Sequence, residues 1–320
     1  MLITPLIIDH WLYTIDHSQL TDDKFSYKKS LKTKEGKDFL NLQSFLCVTS
    51  QQITSVLYKT SITPHQIIFI SLIFGLAASF MIIQSNKIIV IAGAILLFYK
   101  NVLDKVDGSL ARAKGLDSRR GRFYDSISDF TVSLALFTAI SFSLYRIYNS
   151  SFAFVIGFIG LLSSMLQCSY FIFYQVSLIK LSGKQTVNRL NETVTDEDLK
   201  THDRLTLFLQ RMFLIIYGWQ DFLVYNLDKW QLNKLKSIKK TDTNVLYDIW
   251  YHNKSFLTIT SLLSIGSHIF FIALFAVLGD FRIYLILNLV LWNLLLFSCI
   301  IYHYLSTRNK IISSGLVNTF

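Results

Sequence analysis

The chain has 320 residues, of which 52% are hydrophobic, 15% aromatic and only 16% charged, with a mean hydropathy of +0.42. A soluble domain carries roughly 25% charge, so the composition predicts an integral membrane protein rather than two soluble domains. Proline occurs only at Pro5 and Pro64 and the three cysteines (Cys47, Cys168, Cys299) lie far apart, which excludes collagen-like, Pro-rich and disulfide-scaffold classes and marks the cysteines as structural thiols.

The net charge of +10 raises the question of a nucleic-acid partner. The basic residues fall between apolar segments, as a positive-inside bias would put them, so no nucleic-acid partner is expected. Residues 1–60 read as a cytoplasmic and interfacial N-terminal segment. Asp9, His10 and Asp16 interrupt its first apolar run, with no basic region before it and no small-residue cleavage site after it, unlike a secretory signal. Residues 21–41 are Lys-rich (Lys24, Lys28, Lys29, Lys32, Lys34, Lys37), and an amphipathic stretch from Gln43 to Thr60 leads into the first span.

Six segments have the length a helix needs to cross a bilayer, near 64–84, 88–111, 122–146, 152–178, 256–279 and 281–304. The apolar part of the second ends near Leu103, and its helix should run on into an acidic end. Asn86-Lys87, Asn149-Ser150 and Gly279-Asp280 are short turns between antiparallel spans. Of the 31 Lys and Arg residues, only Lys87, Arg146 and Arg282 fall at the ends joined by these turns. That asymmetry places both termini and the longer loops in the cytoplasm. The expected fold is an all-α, six-span domain over 61–305, with a cytoplasmic insertion at 181–254 and a cytoplasmic tail at 306–320.

Within the insertion, Leu207 to Tyr225 is apolar, but Arg211 and Asp221 leave too short an uncharged core for a seventh span. Leu205, Phe208, Met212, Ile215, Trp219 and Phe222 form one helical stripe, which predicts an interfacial helix. The Lys234, Lys236, Lys239, Lys240 cluster fits anionic headgroups and equally a solvated basic loop.

The stretch LDKVDGSLARAKGLDSRRGRFYDSISD, residues 103–129, carries the chemistry. On one helix Asp104, Asp107, Gly108 and Ala111 sit at i, i+3, i+4 and i+7, a single face. On the next, Gly121, Asp125 and Asp129 sit at i, i+4 and i+8, again one face. A short turn makes the helices antiparallel neighbours, so four carboxylates converge at the cytoplasmic membrane edge. Two carboxylates about 4 Å apart repel by roughly 4 kcal/mol at an effective dielectric of 20. Divalent cations relieve this: two Mg²⁺ would balance four Asp, and all-oxygen ligation without His or Cys favours Mg²⁺ or Mn²⁺ over Zn²⁺. Metals beside an arginine and two small residues suit a diphosphate substrate.

The pattern DxxDGxxAR, eight residues, then GxxxDxxxD specifies eight positions. At about 6% frequency each, chance supplies it on the order of 10⁻⁷ times per chain of this length. At every fixed position it resembles the signature of the CDP-alcohol phosphotransferases, six-helix membrane enzymes of phospholipid synthesis. The resemblance is firm over residues 60–180 and looser to about 305, while 1–50 and 181–254 have no counterpart. It implies that Asp104, Asp107 and Asp125 hold the metals and that Asp129 ligates one metal and serves as general base on the acceptor hydroxyl. It also implies that Gly108, Ala111, Arg112 and Gly121 lie against the CDP group. Where many members open the first span with Thr-Pro-Asn, this chain has Thr63-Pro64-His65, a departure at a nucleotide-contact position.

The implied reaction is transfer of a substituted phosphoryl group from a CDP-linked lipid donor, such as CDP-diacylglycerol, to an alcohol acceptor with release of CMP. Transfer of a CDP-activated head group (aminoalcohol or inositol) to a lipid or polyol is the alternative. The rival from another class is a divalent-cation transporter, since intramembrane acids mark ion paths. These acids cluster at one edge instead of lining the bilayer depth, which favours the enzyme. Membrane lipids are expected partners, the active site should face the cytoplasm, and a homodimer is left open. Arg119, Arg120 and Arg122 read as phosphate contacts or positive-inside anchors. Ser163, Ser164 and Gln167 read as interhelical packing or an acceptor pocket, and His268 and His303 as packing residues.

Overall fold

The computed structural model describes residues 25–31, 45–183, 187–238 and 243–313. The N-terminal run to residue 24, most of the Lys-rich stretch, Lys239 and Lys240, and the last seven residues lie outside it. Among the described residues every regular element is helical: α1 (Tyr27–Ser30), α2 (Phe45–Tyr58), α3 (Pro64–Met81), α4 (Lys87–Lys114), α5 (Arg119–Tyr148), α6 (Phe152–Leu181), α7 (Asp196–Thr201), α8 (Arg204–Ile238), α9 (Thr243–Tyr251), α10 (Lys254–Thr260), α11 (Ile265–Leu278), α12 (Phe281–Ile286) and α13 (Trp292–Ser313).

Local chemistry sets these boundaries. Thr63 caps α3 through a reciprocal capping box with Gln66, and Pro64 occupies the first turn, where its missing N–H costs nothing. Asn86 caps α4 by accepting from the Ile88 N–H, and Ser118 caps α5 by accepting from the Gly121 N–H. Between them the chain reverses at Gly115, whose φ of 65° is the left-handed conformation that ends a helix without a Cβ penalty. That reversal lays the ends of α4 and α5 that carry the acids side by side.

Among the described residues four helices are long and apolar enough to cross a membrane: α3, α5, α6 and the continuous Phe281–Ser313 helix, which contains a π-turn at Leu287–Leu291. A fifth candidate is the pair Lys254–Leu263 and Ile265–Leu278, bent by 43°. The helix α4 coincides with the expected second span but is not among them, since Lys100, Asp104, Lys105 and Asp107 fall within it. Exposed Phe69, Phe80, Phe152, Phe158 and Phe297 ring the bundle with apolar surface far beyond what water tolerates. The protein is therefore an integral, multi-pass membrane protein.

At the core, α4 packs on α3, α2 and α11, while α5 packs on α3, α6 and α8. Close approach is what the small residues provide. A Cβ on Gly157 would lie 1.9 Å from Ser141 Oγ, so α5 and α6 could not meet as they do with alanine there. The three basic residues at the short turns gather at one end: Arg146 donates to the Ile83 carbonyl, and Arg282 pairs with Asp280 and reaches the Tyr148 hydroxyl. The acids lie at the other end, Asp107 being about 30 Å along α4 from Lys87 at 1.5 Å per residue, close to the thickness of a bilayer core.

The polar groups inside the spans pack helices together. Gln167 donates to Ser163, to the Asn288 carbonyl and to Asn293, tying α6 to the π-turn. The His303 ring lies between Trp250 at 3.6 Å and Phe256 at 3.8 Å, and His268 meets the Tyr284 hydroxyl.

Candidate functional site

The signature faces meet as their periodicity requires. Asp104 and Asp107 on α4 and Asp125 on α5 each offer a carboxylate oxygen, and these three oxygens lie within 4.8 Å of one another. Asp107 is only 5% exposed, and its Oδ2 has no hydrogen-bond partner among the described residues. A buried carboxylate oxygen without a donor is costly unless a cation lies against it. Hard oxygen ligands at this spacing fit a Mg²⁺ or Mn²⁺ ion. Asp129 stands apart from this group. Its Oδ1 accepts a hydrogen bond from the Lys100 ammonium, which also lies 3.2 Å from Asp104 Oδ1.

The small residues and the arginine flank the acids. The Arg112 guanidinium folds over Gly108, where a Cβ would come within 3.3 Å of Nη1, and its Nε donates to the Ser30 carbonyl at 2.8 Å. Ala111 lies half-buried on the same α4 face. Gly121 backs onto Ser118 and His65, a Cβ there lying 3.5 Å from His65 Nε2. The residue that departs from the Thr-Pro-Asn pattern therefore borders the signature directly, with its ring edge-on to Tyr124. An open cavity of about 350 Å³ adjoins this point, lined by His65, Ser118, Arg119, Arg120, His202 and Thr206.

His202 and Thr206 come from the insertion, which is pinned across the start of α5. Glu192, 2% exposed, accepts from both Arg119 and Arg122. Arg120 pairs with Asp203 at 2.6 Å and donates to Thr206 Oγ1. Asp198 receives Arg189 bidentately at 2.8 and 2.9 Å and also Gln210. Burial raises the Asp198 carboxyl, but Arg189, Thr195 and Gln210 outweigh it and hold the group well below the usual carboxylate range. Hydrogen bonds from Thr206 and Arg120 hold Asp203 at about 2. The arginines after the acidic motif are thus engaged by acids 70 or more residues away in sequence.

The helix α8 is one continuous helix of 35 residues. Its packed face carries Gln210, Phe213, Gln220, Asp228 and Gln231, whereas Phe208, Ile215 and Phe222 of the apolar stripe are 58%, 74% and 67% exposed. The packed face mixes these polar groups with Leu209, Val224, Leu232 and Leu235, while the Phe208, Ile215 and Phe222 stripe faces out. Tyr217 donates to the Ser126 carbonyl, Gln220 receives Ser169, and Gln231 donates to the Ile300 carbonyl, so α8 crosses α5, α6 and α13 in turn.

An all-helical membrane bundle with a convergent aspartate set on two antiparallel helices defines a membrane enzyme centre with the makings of a cation and diphosphate site. Residues 61–230 match the model of the CDP-alcohol phosphatidyltransferase family, and the chain belongs to that family. It is 28% identical over 137 residues to archaetidylinositol phosphate synthase of Pyrococcus horikoshii. That match covers 43% of this chain and 65% of the relative, so the chain spans about two-thirds of the length of the curated protein it matches.

Lys100, Glu192 and Asp203 did not stand out in the sequence. Lys100 carried a readable signal, an ammonium four residues before the first signature acid on the same helix face.

Proposed function

We propose that the protein transfers a substituted phosphoryl group, in the first reading phosphatidyl, from a CDP-linked lipid donor such as CDP-diacylglycerol to an alcohol, releasing CMP. The observation that carries this is the meeting of Asp104, Asp107 and Asp125 beside Gly108, Arg112 and Gly121 on two antiparallel helices. Asp104, Asp107 and Asp125 would hold the first of two Mg²⁺ or Mn²⁺ ions, and Asp104 with Asp129 the second. A divalent ion there would neutralise pyrophosphate charge and stabilise the leaving CMP.

The chain's own residues supply the rest. Gly108, Ala111 and Gly121 leave room for the CDP group against the helices, and Arg112 lies over that surface. The anionic nucleotide fits the cavity beside Gly121, where Arg119, Arg120 and Ser118 face it. Asp129 accepts the acceptor's hydroxyl proton as its oxygen attacks the phosphorus distal to cytidine. The new P–O bond forms, the bond to the CMP oxygen breaks, and CMP leaves with that electron pair. General-base help of this kind contributes roughly 10² to 10⁴ in rate.

Residues 61–305 would form the catalytic unit, with six spans, both termini and the active site on the cytoplasmic side, and α8 lying at the membrane interface. Of the 31 Lys and Arg residues only Lys87, Arg146 and Arg282 lie at the short-turn end opposite the acids, and that scarcity supports the orientation. Transfer of a CDP-activated head group is the second reading. The likeness to the archaetidylinositol phosphate synthase of Pyrococcus horikoshii supports an inositol-based polyol among the acceptors to be tested. The experiment is CMP release by the purified protein with Mg²⁺ and a panel of CDP-linked donors and alcohols. Release with CDP-diacylglycerol plus a polar alcohol supports the first reading, release only with a CDP-linked head group supports the second, and release with no pair overturns both.

A further inference from the structure

Lys100 lies at the acidic centre, and the eight-position signature does not specify it. Its side chain is 1% exposed in the midst of α4, and its ammonium pairs with Asp104 Oδ1 at 3.2 Å and with Asp129 Oδ1. It stands one helical turn before Asp104, about 6 Å further from the cytoplasmic end along the axis. A buried ammonium costs several kcal/mol in lost hydration and is tolerated only when its charge is met. Here two carboxylates meet it.

The four acids thereby divide into two cation positions. One lies among Asp104, Asp107 and Asp125, whose oxygens converge within 4.8 Å and where Asp107 Oδ2 lacks a donor. The other lies between Asp104 and Asp129, and the Lys100 ammonium fills it. We infer that Lys100 is a tethered counter-cation at the second of these positions, so that a second divalent ion enters only by displacing its ammonium from Asp104 and Asp129. This rests on the metal reading given above. The Lys100 ammonium pairs with one acid of the first position, Asp104, but with both acids of the second, so the second ion must expel from both of its ligands a charge built into the helix. Without substrate the centre therefore holds one divalent ion tightly. It also follows that Lys100 keeps the Asp129 carboxylate in place at the deep end of the cluster before any second ion arrives. Lys100 is a positioning residue in this sense.

The test is Mn²⁺ binding to the full-length protein in detergent, without donor, counted by the EPR signal of free Mn²⁺. Wild type should bind one ion per chain, with a second at least about tenfold weaker. Lys100→Met should tighten the second ion by about tenfold or more and leave the first within about threefold. It should also melt at a lower temperature than wild type in EDTA and recover in Mn²⁺, because Asp104 and Asp129 lose the ammonium that meets their charge. Lys100→Gln gives the same readings if the methionine variant does not purify. Two equally tight ions in wild type, or an unchanged second ion in the neutral variants, would overturn the inference and leave the metal reading standing. No bound Mn²⁺ in any folded variant would overturn the metal reading, and the inference with it.

Discussion

Glu192 accepts Arg119 Nη2 at 2.6 Å across 73 residues of sequence, fastening the insertion to the first turn of the helix that carries Gly121, Asp125 and Asp129. Arg122 shares the same carboxylate from one turn further on. The insertion is therefore part of the scaffold that aims α5, and it also furnishes two walls of the adjoining cavity.

Removing one partner of such a buried pair leaves the rest uncompensated, which costs about 3–5 kcal/mol. Glu192→Gln should lower stability by that order and expose 187–206 to protease, while Asp203→Asn, whose partner Arg120 is 42% exposed, should change stability little. Differential melting in detergent and limited proteolysis compare the two. Equal tolerance of both substitutions would show that the insertion is held by its apolar contacts at Leu209 and Phe213 instead.

The same links respond to acid. The Asp203 carboxyl is held at about 2 and Asp198 well below its ordinary range, both under the unfolded value near 3.9. A depressed folded pKa gives stability that is present above the unfolded value and lost as pH falls through the folded one. The insertion should stay docked from pH 8 to about 5 and loosen between about pH 4 and 2. Hydrogen exchange of residues 189–206 at pH 6 and pH 3 checks the sign, and faster opening at the higher pH would contradict it.

The signature acids should separate into binding and chemistry. On the proposed metal reading Asp107→Asn would remove a ligand whose Oδ2 has no hydrogen-bond partner among the described residues, so it should weaken binding of a CDP-linked donor in Mg²⁺. Asp129→Asn should keep donor binding within a few-fold and lose at least about 10² in kcat, the share of a general base. Donor titration and single-turnover CMP release are the paired readouts. Equal, severe loss of donor binding in both variants would make Asp129 a metal ligand first.

The acidic site was legible because its information is local. Asp104, Asp107, Asp125 and Asp129 are set by helix periodicity on either side of one glycine-terminated turn, and no distant residue is needed to place them. Among the described residues four of the six expected spans, or five with the bent pair, coincide with helices apolar enough to cross a membrane, since length and hydropathy act within each helix. Glu192 and Asp203 carry no such mark: an acid in a polar loop looks like any other until the fold delivers it to an arginine 70 residues away. Lys100 lies between these cases. Its i, i+4 relation to Asp104 is local, but its bond to Asp129 depends on how α4 and α5 pack. The π-turn at Leu287–Leu291 answers to packing by Asn288 and Gln167, which hydropathy alone does not report.

The orientation of α8 yields the last prediction. A helix of 35 residues is long enough to span a bilayer, yet Arg211, Asp221, Asp228 and Lys229 divide its apolar stretch and its packed face carries Gln210, Gln220, Asp228 and Gln231. Its outward stripe of Phe208, Ile215 and Phe222 needs apolar surroundings along one side only, which a helix lying along the membrane surface provides. The helix also crosses three neighbours in succession, at Ser126, Ser169 and Ile300, instead of running beside one of them. Its two ends should then lie on the same side of the membrane. In a background with Cys47, Cys168 and Cys299 replaced, single cysteines at Lys200, Lys236 and Lys310 should label with an impermeant maleimide from the cytoplasmic side, and those at Lys87 and Gly279 from the opposite side. Labelling of position 236 from the side of position 87, with position 200 labelled from the other, would make α8 a span and reverse every helix after it.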